Sequence, residues 1–143
     1  MAFLKDMAQH SITKMSKRHL LPGFIPNIIT VYAQIVGPKD TKTIKVVLDT
    51  GASYTMIPVR KAIEIGYDPS LIDKKIEIFT ASGIEYVPKI TIASLKCLGK
   101  EVKNIEVVCH ELPPQAPVDG LLGLNFLVHL PAFIEFYQKI RLA

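Results

Sequence analysis

The stretch Thr43–Gly51 constrains this chain more than any other. Thr43-Ile44-Lys45-Val46-Val47-Leu48 alternates and then turns continuously apolar, the pattern of a strand entering a core, and it delivers Asp49 straight into Thr50-Gly51. Gly51 frees the backbone to turn sharply behind the carboxylate, and the small residues Ala52 and Ser53 keep that turn uncrowded. A carboxylate delivered by a buried strand into a tight turn is held still, and the rest of the chain is read around it.

With 143 residues, 49% of them hydrophobic and 21% charged, the chain fits one compact domain that buries roughly two thirds of its unfolded surface. Its apolar runs fall far short of the ~20 residues that span a bilayer. Lys5, Asp6, His10, Lys14, Lys17 and Arg18 interrupt the first twenty residues too often for a secretory leader, so the cytoplasm is the default expectation. Cys97 and Cys109 match no paired metal-ligand spacing and read as strand residues. His10, His19, His110 and His129 show no ligand spacing either, and His110-Glu111 lacks the second histidine of a zinc protease helix, so neither metal nor cofactor is expected. The net charge of +4 is spread along the chain apart from Lys14, Lys17 and Arg18, and no pattern for reading nucleic acid accompanies it.

Residues 1–24 carry a weak helical pattern broken at Leu21-Pro22-Gly23 and read as an extension or docking arm, with the main domain spanning 25–143. Strands are expected from Asn27 to Val36 and over Ile44–Leu48, joined by the Gly37-Pro38-Lys39-Asp40 loop, and again at Tyr54–Ile57. Pro58 suits the start of a short helix that Gly66 stops. Lys75–Thr80 and Gly83–Val87 form a hairpin with Ala81-Ser82 at its tip, and strands follow at Lys89–Leu95 and Val102–Cys109. After a proline-rich loop comes Asp119-Gly120-Leu121-Leu122-Gly123. Leu124–Leu130 then reads as one or two helical turns ended by Pro131, and Phe133–Tyr137 with Lys139–Leu142 reads as closing strand material. Short strands at close spacing with little helix predict an all-β barrel or sandwich.

Taken together and in order, Leu48-Asp49-Thr50-Gly51-Ala52-Ser53, the hairpin near residues 76–90, and Asp119-Gly120-Leu121-Leu122-Gly123-Leu124-Asn125-Phe126-Leu127 resemble the retroviral-type, or retropepsin-like, aspartic proteases. The single-domain cellular and prokaryotic branch is the better match, and the resemblance spans about residues 27–142. It implies a closed single-domain acid-protease barrel with a flap hairpin and one or two short helices. It also implies an aspartic endopeptidase that cuts extended polypeptide. Hydrolysis needs a base for the attacking water and an acid for the carbonyl and leaving nitrogen, roles that two close carboxyls fill by sharing one proton, as is established for this class. Only one Asp-Thr-Gly is present, so the resemblance implies a homodimer in which each subunit supplies one Asp49.

Further roles are implied position by position. Thr50 matches a threonine that bonds across the dimer axis, and Gly51 a glycine whose carbonyl meets substrate backbone. Ala52, Ser53, Met56, Ile57 and Leu121 match positions that contact substrate or wall its pockets, while Ser82 and Gly83 fall at the flap tip. Asn125 matches a polar position at the start of the family's short helix. Asp119 reads as a turn residue before Gly120 in preference to a second acid. Retroviral members carry an acidic residue where Ser53 stands and an arginine where Leu124 stands; here both charges are missing together, so neither is left uncompensated. The flap tip has one glycine where retroviral flaps have several. Two other readings stay open: a protease-like module that binds peptides or dimerises without hydrolysis, and a nucleic-acid-associated element using the Lys14–Arg18 region.

Overall fold

In a computed structural model of the protein, residues 27–142 are described; the expected arm at 1–24 lies outside them. Among the described residues seven strands appear: β1 (Thr30–Val36), β2 (Thr41–Leu48), β3 (Thr55–Ile57), β4 (Lys75–Thr80), β5 (Gly83–Cys97), β6 (Lys100–Cys109) and β7 (Gly120–Leu122). Six of them close on themselves in the order β1-β2-β7-β3-β6-β5, and pairing of Gln34, Ile35 and Val36 with Lys96, Leu95 and Ser94 completes the ring. The all-β closed barrel expected from the sequence is therefore present. β4 stands outside the ring and pairs only with the first part of β5, which makes the projecting hairpin.

Most connections are antiparallel, but β7 is inserted between β2 and β3. It runs parallel to β2 (Val46, Val47 and Leu48 opposite Gly120, Leu121 and Leu122) and meets β3 at Met56–Leu121. Because successive strand residues point to opposite faces, these strands feed two apolar clusters at once. Val46, Ile57, Val107 and Leu122 enter the barrel interior with Ile35, Ile92 and Phe126. Val47, Met56, Val108 and Leu121 enter a second cluster on the other face, covered by Ile78 and Val87 of the hairpin. Burial on both faces is why Val46-Val47-Leu48 and Leu121-Leu122 lack the alternation of a half-exposed strand.

Three α-helices are found among the described residues. α1 (Val59–Glu64) follows Pro58, whose extended backbone caps it, and α2 (Leu124–Leu127) is a single turn behind Gly123. The third corrects an expectation: Phe133–Tyr137 and Lys139–Leu142 are not strands but lie within one helix, α3 (Pro131–Leu142). Closure of the barrel leaves little free edge for another strand, whereas a helix satisfies its own backbone, and proline at its first position forfeits no hydrogen bond. Phe133 and Tyr137, one turn apart, stack with ring centroids 6.5 Å from each other, and Phe133 packs on the barrel interior. Pro131 thus opens a helix instead of ending one. β5 is also unbroken where the sequence suggested two strands: Pro88 stands where β5 leaves β4 for β6, so its missing N–H falls at the change of partner.

Candidate active site

Asp49 sits at the end of β2, and its backbone N–H donates to Leu122 O at 3.0 Å, prolonging the pairing of β2 with β7 by one residue. Its own carbonyl accepts from Ala52 N at 3.2 Å, closing the turn, and Oδ1 accepts from Gly51 N at 2.9 Å. The residue is only 6% exposed, and the second carboxyl oxygen, Oδ2, is buried with no hydrogen-bond partner among the described residues. Desolvation pushes the carboxyl above its usual range, and the Gly51 N–H opposes that in part. A carboxyl placed this way holds a proton more readily than an ordinary aspartate. Thr50, Gly51 and Ser53 are exposed beside it.

The loop is fixed from behind by a polar lock. Thr55, fully buried, donates both its N–H and its hydroxyl to Asn125 Oδ1, at 2.9 and 3.0 Å. The same hydroxyl accepts from Gly123 N at 3.1 Å, and Asn125 Nδ2 donates to Glu106 O at 2.6 Å. Leu124 N and Asn125 N donate to Ala52 O and Ser53 O at 2.8 and 3.2 Å, so α2 is stitched directly to the Asp49 turn. The approach is so close that a Cβ on Gly123 would lie 2.5 Å from the Tyr54 carbonyl. Only glycine fits there without moving backbone. Asp119 takes a supporting part: Oδ2 accepts from Lys45 N at 2.9 Å while its N–H donates to Lys45 O at 2.7 Å.

A pocket of about 320 Å³ opens against this loop. It is lined by Gly51, Ala52, Ser53, Tyr54 and Met56, by Ile76, Glu77, Ile78 and Phe79 of β4, and by Val108. Of the residues singled out from the sequence, Gly51, Ala52, Ser53 and Met56 are brought together here beside Asp49. Leu121 lies fully buried in the cluster beneath, and Ile57 points into the barrel interior, away from the pocket. Ser82 and Gly83 are exposed at the hairpin tip and do not line it. Sequence reasoning passed over Tyr54, Thr55, Val108 and the wall from β4. The alternation of Ile76 and Ile78 was available as a signal for that wall, but nothing local marked Val108. Cys97 and Cys109 are buried free thiols on β5 and β6, and burial pushes Cys109 up to about 12. Among the described residues, no cluster of three or more histidine, cysteine or acidic side chains is placed to hold a metal. No helix among them is long and apolar enough to cross a membrane.

A closed six-strand barrel, with a buried aspartate on a Thr-Gly turn locked under a hydrophobic-hydrophobic-Gly strand, is the architecture of a retropepsin-like aspartic protease. The family described as "gag-polyprotein putative aspartyl protease" matches residues 37–129, and the chain belongs to this retropepsin-like family. Among solved structures it is similar to a retropepsin-like aspartic protease from Rickettsia conorii, 26% identical over 73% of this chain and 72% of that one, with a TM-score of 0.51. No curated protein sequence matches the chain.

Proposed function

We propose that the protein is an aspartic endopeptidase active as a homodimer, with the protease domain over residues 25–143. The observation that carries this reading is Asp49 itself: a buried carboxyl with a raised proton affinity and one oxygen without a partner among the described residues, beside an apolar pocket. One such carboxyl cannot serve as base and acid in the same step, and a two-fold axis through the exposed Thr50-Gly51 turn supplies the second. One Asp49 then takes a proton from water as its oxygen attacks the peptide carbonyl carbon. The other, protonated, donates to the carbonyl oxygen. Collapse of the tetrahedral species breaks the C–N bond as the nitrogen receives a proton. Thr50 stiffens the pair across the axis, Gly51 and the flap backbone around Ser82 and Gly83 hold an extended substrate, and Met56 with Ala52 and Ser53 contacts its side chains.

The test is cleavage of an unbiased peptide library by the wild-type chain and by Asp49→Asn. Loss of cleavage in a variant that stays folded supports the assignment, and mixtures should lose activity in proportion to mixed dimers. Peptide binding without product would point instead to a binding module.

A further inference from the structure

Tyr54 follows the catalytic-type turn directly, lines the pocket and is half-buried, so the position of its ring decides the shape of the space beside Asp49. Lys89 reaches it from β5. Its Nζ lies 4.8 Å from the centre of the Tyr54 ring and 3.4 Å from the Tyr54 hydroxyl, to which it donates. Although charged, the Lys89 side chain is only 9% exposed, and its Nζ pairs with Glu106 Oε2 at 2.9 Å. Glu106 also meets Lys74 at 3.6 Å.

The strand register explains how a lysine comes to be buried there. Lys89 stands opposite Val108, a pocket residue, and Glu106 lies two positions before Val108, opposite Thr91. Side chains two apart on a strand share a face, so Lys89, Val108 and Glu106 form one patch on the barrel wall. The hydrogen bond from Lys89 lowers the Glu106 carboxyl below its usual range, and the same bond raises the Lys89 ammonium, so both stay charged through neutral pH. Met56 and Ile78 are buried within the second cluster, whereas Tyr54 packs against its edge, half-buried, with Lys89 at its ring and hydroxyl.

We propose that Lys89 is a positioning residue that clamps the Tyr54 ring against the barrel wall and thereby sets how large a substrate side chain the pocket admits. The proposal rests on the protease reading. With the ring clamped, the pocket discriminates against the bulkiest side chains. With the ring released, Tyr54 swings outward and that discrimination relaxes. Glu106 acts one step further back, since its carboxylate holds the ammonium while its carbonyl accepts from Asn125 of the loop lock.

The experiment compares the full-length wild type with Lys89→Met, Lys89→Arg and Tyr54→Phe on peptides varied one position at a time through Val, Leu, Phe and Trp. In Lys89→Met the kcat/KM ratio of Trp to Val peptides should rise about two- to fivefold at one position only, the scale of a single cation–π contact. Lys89→Arg should restore the wild-type ratio, and Tyr54→Phe, which keeps the ring under the cation, should stay near it. A purely structural role would lower all peptides together and leave the ratios unchanged; that result overturns the proposal. A second readout needs no cleavage: the Lys89 ε-methylene protons should be shifted upfield by the Tyr54 ring and return to ordinary positions in Tyr54→Leu. Absence of that shift overturns the clamp outright. If the wild type cuts nothing, the protease reading and the size selection fall together, while the ring-current shift still decides whether Lys89 holds Tyr54.

Discussion

Thr55 and Asn125, seventy positions apart, share a single oxygen: the N–H and the hydroxyl of Thr55 both donate to Asn125 Oδ1. This junction ties β3, next to the Asp49 turn, to the first turn of α2. Position of the catalytic-type loop is therefore set by two residues whose own chemistry is unreactive.

Thr55→Val keeps the shape of that side chain and removes its hydroxyl. Gly123 N–H loses its acceptor and Asn125 one of its donors inside a buried site, so stability should fall by about 2–3 kcal/mol. Thr55→Ser keeps the bonds and loses one methyl, about 1 kcal/mol. Urea unfolding midpoints with unchanged slopes would measure both; equal losses in the two variants would show that the hydroxyl does not hold the loop.

Burial makes Asp49 an acid whose proton affinity is higher folded than unfolded. At pH below the ordinary aspartate range both states are protonated and burial has no ionic cost. As pH rises through the window above that range, the unfolded chain releases its proton first, so wild-type stability falls; above the raised folded value the loss is constant. Asp49→Asn escapes this. It should be more stable than wild type at pH 7, with the gap closing as pH falls toward 3, in thermal melts across a pH series.

Helix α3 buries none of its residues fully, yet Phe133 is half-buried on the barrel interior while Phe136 is 60% exposed. Phe133→Ala should cost about 1–2 kcal/mol, a fraction of what a fully buried phenylalanine costs. Phe136→Ser should stay within about 0.5 kcal/mol. Chemical denaturation separates them, and a larger loss at Phe136 would mean that its face is covered in solution.

Cys109, held near 12 by burial, and Cys97, also raised by burial, carry almost no thiolate at neutral pH. Native protein should resist thiol reagents, with labelling of Cys109 limited by opening of the fold and rising sharply once urea unfolds it. Fast labelling under native conditions would contradict the burial described.

Much of this architecture was legible because local pattern and tertiary role agreed. The hairpin from Lys75 to Val87 declared itself through two extended arms around small residues, and Asp49 through the buried strand before it. Agreement failed at the C-terminus, where Phe133, Ile134, Phe136 and Tyr137 suit a strand by composition and a helix by spacing. The choice depended on whether the barrel had an edge to offer, which is a property of the closed ring. The pocket wall was hidden for a related reason. Val108 reaches Tyr54 and Met56 only through the parallel register of β3 on β6, which places Met56 opposite Val108. Thr55 looked like a strand threonine because its partners Asn125 and Gly123 arrive from far down the chain.

The insertion of β7 between β2 and β3 also orders events in time. Until Gly120–Leu122 has been synthesised, the two strands flanking Asp49 have nothing between them, and the turn lacks both the Leu122 carbonyl and the Thr55–Gly123 bond. Such distant pairing pays its loop-closure entropy late, so a nascent or truncated chain carries an unsealed seam where a cutting site would be. The Asp49 turn thus takes its folded form only once Gly120–Gly123 has joined the sheet.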